Sequence, residues 1–366
     1  MKLKKFGSRS GFKVNPVSIG AMRFPADAVE AVKLIRYAID NGMVYIDTSR
    51  GYGESEFVLG RALKDGYREK VILSSKCSPW IKKVQDSDDG SADSVFHRIQ
   101  ETILRLDVEY LDFYQVWNID SPEAWKTAVR KGGMVDGIRR AMAEGMVRHT
   151  GFTTHEKPEN LLRYLDDAEW AEIILVTWNL LNRDYADVLT KAHKLGIGTI
   201  VMNPCGGGRL AEASPVFAEL AREVGAVSVP DLAIRYVYSN PDIDTMLCGM
   251  TCKDDIDNSL ASVARGKFTA AQMKRINTLL DGKTKGKVCT ACNYCMPCPA
   301  GINIPGMMHM AFQSRYYGFE SAMRKEYAGC RVKADVCTKC RQCEKKCTQK
   351  IAIVKELKII HEELGQ

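Results

Sequence analysis

The chain has 366 residues, 45% of them hydrophobic and 27% charged, enough to bury a large core and to suggest one big domain plus a small one. No run approaches the roughly twenty uninterrupted apolar residues of a membrane-spanning helix, and the opening MKLKKFGSRSGFK lacks a signal-peptide apolar region, so a cytoplasmic protein without a membrane span is expected. The net charge of +7 is uneven: residues 283–366 hold fifteen Lys or Arg against seven Asp or Glu, leaving residues 1–282 at about −1. That basic tail interleaves its charges with cysteines rather than with aromatics or a groove-reading motif, so no nucleic-acid partner is expected.

Residues 1–14 read as a polar hairpin turning at 8–11, placed to plug a barrel floor. Short apolar runs follow at 17–20, 43–47, 71–75, 112–117, 148–152, 173–178, 198–202 and 244–247. Helical periodicity is clearest over 26–40, 94–106, 134–144, 158–165, 185–195 and 215–224. Eight strands separated by helices predict an α/β fold, a closed eight-stranded parallel (β/α)8 barrel over residues 1–282. The charged loop 80–92 reads as a solvated connection, and the DGKTKGK segment at 281–287 as a linker. Beyond it, 304–317 and 319–327 read as short helices and 351–364 as a closing amphipathic helix, making residues 283–366 a small, mainly helical second domain.

Eight of the thirteen cysteines fall in that second domain as two runs, Cys289, Cys292, Cys295, Cys298 and Cys337, Cys340, Cys343, Cys347. Three cysteines at uniform two-residue intervals followed by a fourth are the ligand pattern of a ferredoxin-like domain with two 4Fe-4S clusters, in which the fourth thiolate crosses to the other run's cluster. The expected sets are Cys289, Cys292, Cys295 with Cys347, and Cys337, Cys340, Cys343 with Cys298. Two tetrathiolate zinc sites are the alternative, but zinc frameworks usually pair two knuckles across a loop. The first run closes with two intervening residues instead of three, and Thr348 stands where a proline is usual; neither change removes a ligand. Such a cysteine load fits a reducing, anaerobic setting.

In a barrel of this kind catalytic residues lie where strands end. The second strand ends in Asp47-Thr48-Ser49-Arg50-Gly51-Tyr52-Gly53 and the third in Ser74-Ser75-Lys76. At these residues the chain resembles the aldo-keto reductase family, and residues 151–153, 179–183, 204–210 and 248–250 follow in the family's order. The cysteine runs and the phrase NYCMPCPAGINIP resemble the branch with a C-terminal two-cluster domain. The resemblance implies an oxidoreductase that interconverts a small, polar carbonyl and its alcohol. Tyr52 would donate the proton, with Lys76, held by Asp47, lowering the phenol's pKa. The family's fourth catalytic residue is a His at the position of Trp117, whose indole can donate a hydrogen bond but cannot exchange a proton. His155, after the fifth strand, is a candidate substitute.

For a nicotinamide, NADPH or NADH, the resemblance points to Thr153, Thr154, Asn203, Gly206, Gly207, Gly208, Arg209 and Gly249. The glycine turn is suited to cradle a pyrophosphate. Leu175, Met202 and Asp255 stand where the family has an amide, a stacking aromatic and a phosphate-binding arginine. No flavin motif is present. A rival reading therefore has the clusters feed single electrons to a substrate carbonyl, for radical reduction or elimination, without a nicotinamide. A third makes the chain a non-catalytic electron-transfer subunit or redox sensor. The surplus basic charge would suit an acidic redox partner such as ferredoxin or flavodoxin.

Overall fold

The computed structural model describes residues 2–80, 88–283, 289, 293–347 and 349–366. Two strands, β1 (Lys4–Lys5) and β2 (Lys13–Val14), pair antiparallel as the expected hairpin. Eight more follow: β3 (Val17–Gly20), β4 (Tyr45–Asp47), β5 (Ile72–Cys77), β6 (Leu111–Ile119), β7 (Val147–Thr154), β8 (Ile173–Thr177), β9 (Gly198–Met202) and β10 (Thr245–Gly249). They close in the order β10-β3-β4-β5-β6-β7-β8-β9, every pair parallel. The barrel strands are largely buried because helices cover them outside and packed side chains fill the inside.

The hairpin closes the barrel floor. Phe6 and Val14 are fully buried among Tyr45, Ile72, Phe113, Ile173, Leu175, Ile200 and Leu247. Asp244 accepts hydrogen bonds from the backbone N–H of Gly7 and of Thr199, both at 3.0 Å, so one buried carboxylate ties the hairpin to β9 and β10. Gly7 has φ +59°, and a Cβ there would come within 2.5 Å of the Gly198 nitrogen, so the turn and the close approach both require glycine.

Two compact units emerge: residues 1–207 with 233–267, which contain every strand, and residues 208–232 with 268–366. The expected division at 282 falls instead at the end of the helix Ala270–Lys283, inside the second unit. The expected linker is helical over its first three residues, and its remaining four lie outside the described residues. Segment 208–232 joins the tail because the helix Pro215–Glu223 packs on it: the Phe217 ring lies 5.2 Å from that of Tyr317 and 5.8 Å from that of Phe319. The Ser214 hydroxyl caps that helix at the Phe217 N–H and donates to the Tyr317 carbonyl. Helices Ile304–Tyr317, Glu320–Ala328 and Ile353–Leu364 complete this unit close to their expected bounds.

Candidate active site and cysteine-lined pockets

Parallel pairing sets Asp47 of β4 opposite Ser74 of β5, and Lys76 of β5 opposite Gln115 of β6. Lys76 is 1% exposed and Asp47 2%. The Lys76 ammonium donates to Asp47 Oδ1 and, at 2.9 Å, to the Thr48 carbonyl. Gln115 Nε2 donates to Asp47 Oδ2 and to Ser74 Oγ, both at 2.8 Å. Burial opposes the Lys76 charge, yet the attraction of Asp47, with Tyr52 adding to it, leaves the lysine pKa above its ordinary value, so the ammonium is kept.

Tyr52 follows on the loop after β4, its ring centroid 4.7 Å from Lys76 Nζ. Its phenol pKa is raised: burial pushes it up and Asp47 adds to that, while Lys76 pulls the other way and loses. The expectation of a lowered phenol pKa is thus corrected, because desolvation in this half-buried position exceeds the help of one cation that is itself neutralised by Asp47. The group at neutral pH is the O–H form, a proton donor.

Trp117 stands edge to face with Tyr52, the ring centroids 5.7 Å apart at 83°. It sits where the β6–β7 register shifts, and its neighbour Asn118 has φ +58°, a bulge that re-aims the strand tip. The Trp80 indole N–H is shared between the carbonyls of Trp117 (3.1 Å) and Asn118 (2.6 Å). His155 is exposed just beyond β7, with its backbone N–H on the Ile119 carbonyl at 3.3 Å. Asp47, Lys76, Tyr52 and Trp117 are therefore joined in that order by successive contacts, while among the described residues no hydrogen bond or ring contact joins His155 to them.

The residues implied for a cofactor are unevenly free. Thr153 Oγ1 accepts the Asn118 N–H at 2.7 Å and keeps its own proton to donate. Thr154 Oγ1 donates to the Ile119 carbonyl (2.6 Å) and accepts from the Glu156 N–H (3.0 Å), so its hydroxyl is used within the fold. Asn203, at φ +56°, accepts at its carbonyl from Asn179 Nδ2 at 2.8 Å. Gly206, Gly207 and Gly208 all have positive φ and open the 3-10 helix Gly206–Ala211. Arg209 is paired with Glu326 at 2.8 Å.

Arg23 was not singled out by the sequence, because its two neighbours are remote in the chain. Its Nη1 donates to the Gly207 carbonyl at 3.0 Å, and Cβ atoms built on Gly207 and Gly249 would lie 3.9 and 3.8 Å from it. Leu175 belongs to the core cluster and Met202 packs against it. Asp255 is the third residue of the helix Lys253–Ala264, where its Oδ2 accepts from the Thr251 N–H and hydroxyl, both at 2.7 Å, and from the Cys252 N–H at 3.3 Å. Burial raises its pKa but these bonds outweigh it, so the carboxyl is held below the usual range and supplies the negative charge at that helix start.

In the second unit two cavities are lined by cysteines. One has Cys289, Cys295 and Cys347 with Ile304, Pro305, Met308, Ile351 and Ile353 around them. The other is lined by Cys295, shared with the first, and by Cys298, Cys337, Cys340 and Cys343, with Arg341 and Lys346 in its wall. Cys292 lies outside the described residues. No disulfide joins the described cysteines, and among the described residues no group of three or more His, Cys, Asp or Glu is gathered tightly enough to hold a single metal ion. Elsewhere burial pushes the Cys77 thiol up to about 12 and Cys205 to about 11, which makes both poor nucleophiles.

The model of the Aldo/keto reductase family matches residues 16–281. The chain belongs to that family. It is similar to "Probable aldo-keto reductase 1" of Glycine max, 27% identical over 214 residues, which cover 56% of this chain and 59% of the relative. It is also similar to "Uncharacterized oxidoreductase YrpG" of Bacillus subtilis (strain 168), 25% identical over 308 residues, 70% of this chain and 89% of that one. The chain thus spans less than two thirds of the soybean relative's length and most of the bacterial one's.

Among solved structures, the aldo-keto reductase AKR11C1 from Bacillus halodurans (holo form) superposes with a TM-score of 0.65 at 21% identity, covering 76% of this chain and 96% of its own. The thermostable aldo-keto reductase Tm1743, in complex with the inhibitor epalrestat, gives 0.63 at 21% identity, covering 76% and 99%. At that identity the likeness establishes the aldo/keto reductase fold. The cysteine runs lie beyond residues 16–281, which the family model matches.

Proposed function

We propose that the chain is an iron-sulfur oxidoreductase that interconverts a small carbonyl compound and its alcohol at the mouth of the barrel, with Tyr52 as proton donor. The observation that carries this is the Asp47-Lys76-Tyr52 arrangement: a buried ion pair placed against a phenol whose raised pKa keeps it protonated. As the carbonyl carbon is reduced, Tyr52 gives its proton to the developing alkoxide, and the Lys76 ammonium stabilises the phenolate left behind. Gln115 holds the second oxygen of Asp47, so the carboxylate cannot swing away from Lys76. Trp117 and Trp80 wall the site and help to exclude water, and the indole N–H of Trp117 offers a hydrogen bond to substrate.

A nicotinamide, when bound, supplies hydride. Its fit to these residues is partial. The glycine turn with Arg23 suits a pyrophosphate, and Thr153 retains a donor, but Leu175 is core and Asp255 would repel a phosphate. The two cysteine cavities suit 4Fe-4S clusters better: Cys289, Cys295 and Cys347 line one and Cys298, Cys337, Cys340 and Cys343 the other, which supports two crossed ligand sets, with Cys292 outside the described residues. Such clusters supply electrons singly.

Trp117 in place of a proton-exchanging residue and the poor phosphate site at Asp255 favour a second reading, in which the carbonyl is reduced by single electrons and no nicotinamide is used. Titrating anaerobically purified protein with NADH and NADPH, then assaying carbonyl turnover with either nicotinamide or a reduced one-electron donor, separates the two. Loss of nicotinamide-driven turnover in Tyr52→Phe supports the first reading; no nicotinamide binding at all overturns it.

A further inference from the structure

The two cysteine runs differ in the charge of their own sequence segments. Residues 288–314, which hold the first run, contain no Asp, Glu, Lys or Arg. Residues 331–350, which hold the second, contain seven Lys or Arg against two Asp or Glu. Exposure follows the same division. Ile304, Pro305 and Met308 wall the first cavity, and Cys347 there is buried. Beside the second, Cys340 is exposed, as are Thr338, Lys339, Arg341, Lys345 and Lys346. Val336, 47% exposed, adds an apolar contact within the basic field.

Resting on the iron-sulfur reading above, we propose that the face carrying Lys339, Arg341, Lys345 and Lys346 docks a small acidic one-electron carrier protein, and that electrons enter at the second cysteine set. Electron exchange needs close approach, and among the described cysteines of the two runs only Cys340 is exposed. Four exposed cations around it steer an anionic partner to that spot and hold it without a large apolar interface, as suits a brief encounter. One electron passes: the carrier is oxidised by one and the group held by Cys337, Cys340, Cys343 and Cys298 is reduced by one, with no bond made or broken. A nucleic acid is disfavoured because residues 331–350 contain no Phe, Tyr or Trp, and Asp335 and Glu344 interrupt the cations.

The test uses the full chain, purified anaerobically, with an acidic plant-type ferredoxin as the probe and binding followed by titration calorimetry at low and high salt. The wild type should bind it, and the affinity should fall steeply with salt. Lys339→Glu/Lys345→Glu should weaken binding at least tenfold and flatten the salt dependence. Lys274→Glu/Lys325→Glu, an equal charge change at exposed positions elsewhere in the second unit, should bind as the wild type does. Undetectable binding by the wild type, equal weakening in both double variants, or tighter salt-dependent binding of a single-stranded oligonucleotide would overturn the proposal. Iron and sulfide analysis of the same samples keeps it distinct from the reading beneath it. Absent iron defeats that reading, whereas a full iron content with charge-independent binding defeats the docking face alone.

Discussion

Gln115 donates from Nε2 to Asp47 Oδ2 at 2.8 Å, on the opposite side of that carboxylate from Lys76. Asp47 is thereby fixed by two neighbouring strands, and the position of the lysine charge depends on a neutral residue outside the recognised motif. Hydrogen bonds to charged groups are worth about 1.5–3 kcal/mol. Gln115→Leu should therefore lower kcat roughly tenfold to a hundredfold with little change in KM, because the residue does not touch substrate. Gln115→Glu should cost more, since it sets a second carboxylate against Asp47. Steady-state kinetics of Gln115→Leu with an unchanged kcat would remove the positioning role.

Removing the phenol should be costlier. Tyr52→Phe deletes the proton donor while keeping the ring against Trp117, and turnover should fall by about a hundredfold or more, the usual scale of general acid catalysis. Iron content and visible absorbance should not change. An equal loss of iron would mean that the substitution had damaged the fold.

The pH profile follows from the direction of the Tyr52 shift. Because burial raises its pKa, the proton-donating form persists through neutral pH and above the ordinary tyrosine value of about 10. Carbonyl reduction should show no loss attributable to Tyr52 between about pH 6 and 9 and should decline only in stronger alkali. Lys76→Met removes the cation that pulls the phenol pKa down, so any alkaline limb should move further up in pH. A limb near neutrality that vanishes in Tyr52→Phe would contradict the raised value.

Cluster loading gives a stoichiometry. Two four-cysteine sets should hold about eight iron and eight sulfide per chain. Cys347→Ala should disturb the cluster assigned to Cys289, Cys292 and Cys295 and leave the other largely intact, as judged by low-temperature EPR of the reduced protein. Stoichiometric zinc without iron would end the cluster assignment.

Arg23 offers a direct probe of nicotinamide use. If its guanidinium meets a pyrophosphate beside Gly207 and Gly249, Arg23→Ala should weaken NADH binding about tenfold, the equivalent of roughly 1.4 kcal/mol. Asp255→Asn should favour NADPH relative to NADH by removing a negative charge. Equal affinities in wild type and both variants, measured by fluorescence titration, would place the cofactor elsewhere or nowhere.

The barrel was legible because several of its strands, such as β8 and β9, are compact apolar runs, and β3 and β9 fall on their expected spans. β5 runs on to Cys77, past the expected end at 75, because Lys76 is polar yet buried against Asp47, a pairing that an apolar pattern cannot reveal. β6 runs on to Ile119 through its bulge. The helices Ser55–Ala62 and Lys253–Ala264 were missed: the first is short and lacks a side-chain cap, the second opens at Cys252 with two acidic residues. Asp47, Tyr52 and Lys76 could be found by motif. Gln115 could not, since its role follows from the register that sets it opposite Lys76, and Arg23 depends on two glycines far away in the chain. The phenol's raised pKa was missed because desolvation is a property of the folded site, whereas a nearby cation can be inferred from sequence.

The tie between Gly7 and Asp244 spans 237 positions. The hairpin thus has its seat completed only by the last barrel strand, and until that strand arrives the burial of Phe6 and Val14 is incomplete. Contacts of such separation form slowly and leave apolar surface open meanwhile. Assembly of this barrel is therefore most vulnerable at its floor, where loosening the hairpin, as in Asp244→Ala, would lower the soluble yield of a chain whose catalytic end is untouched.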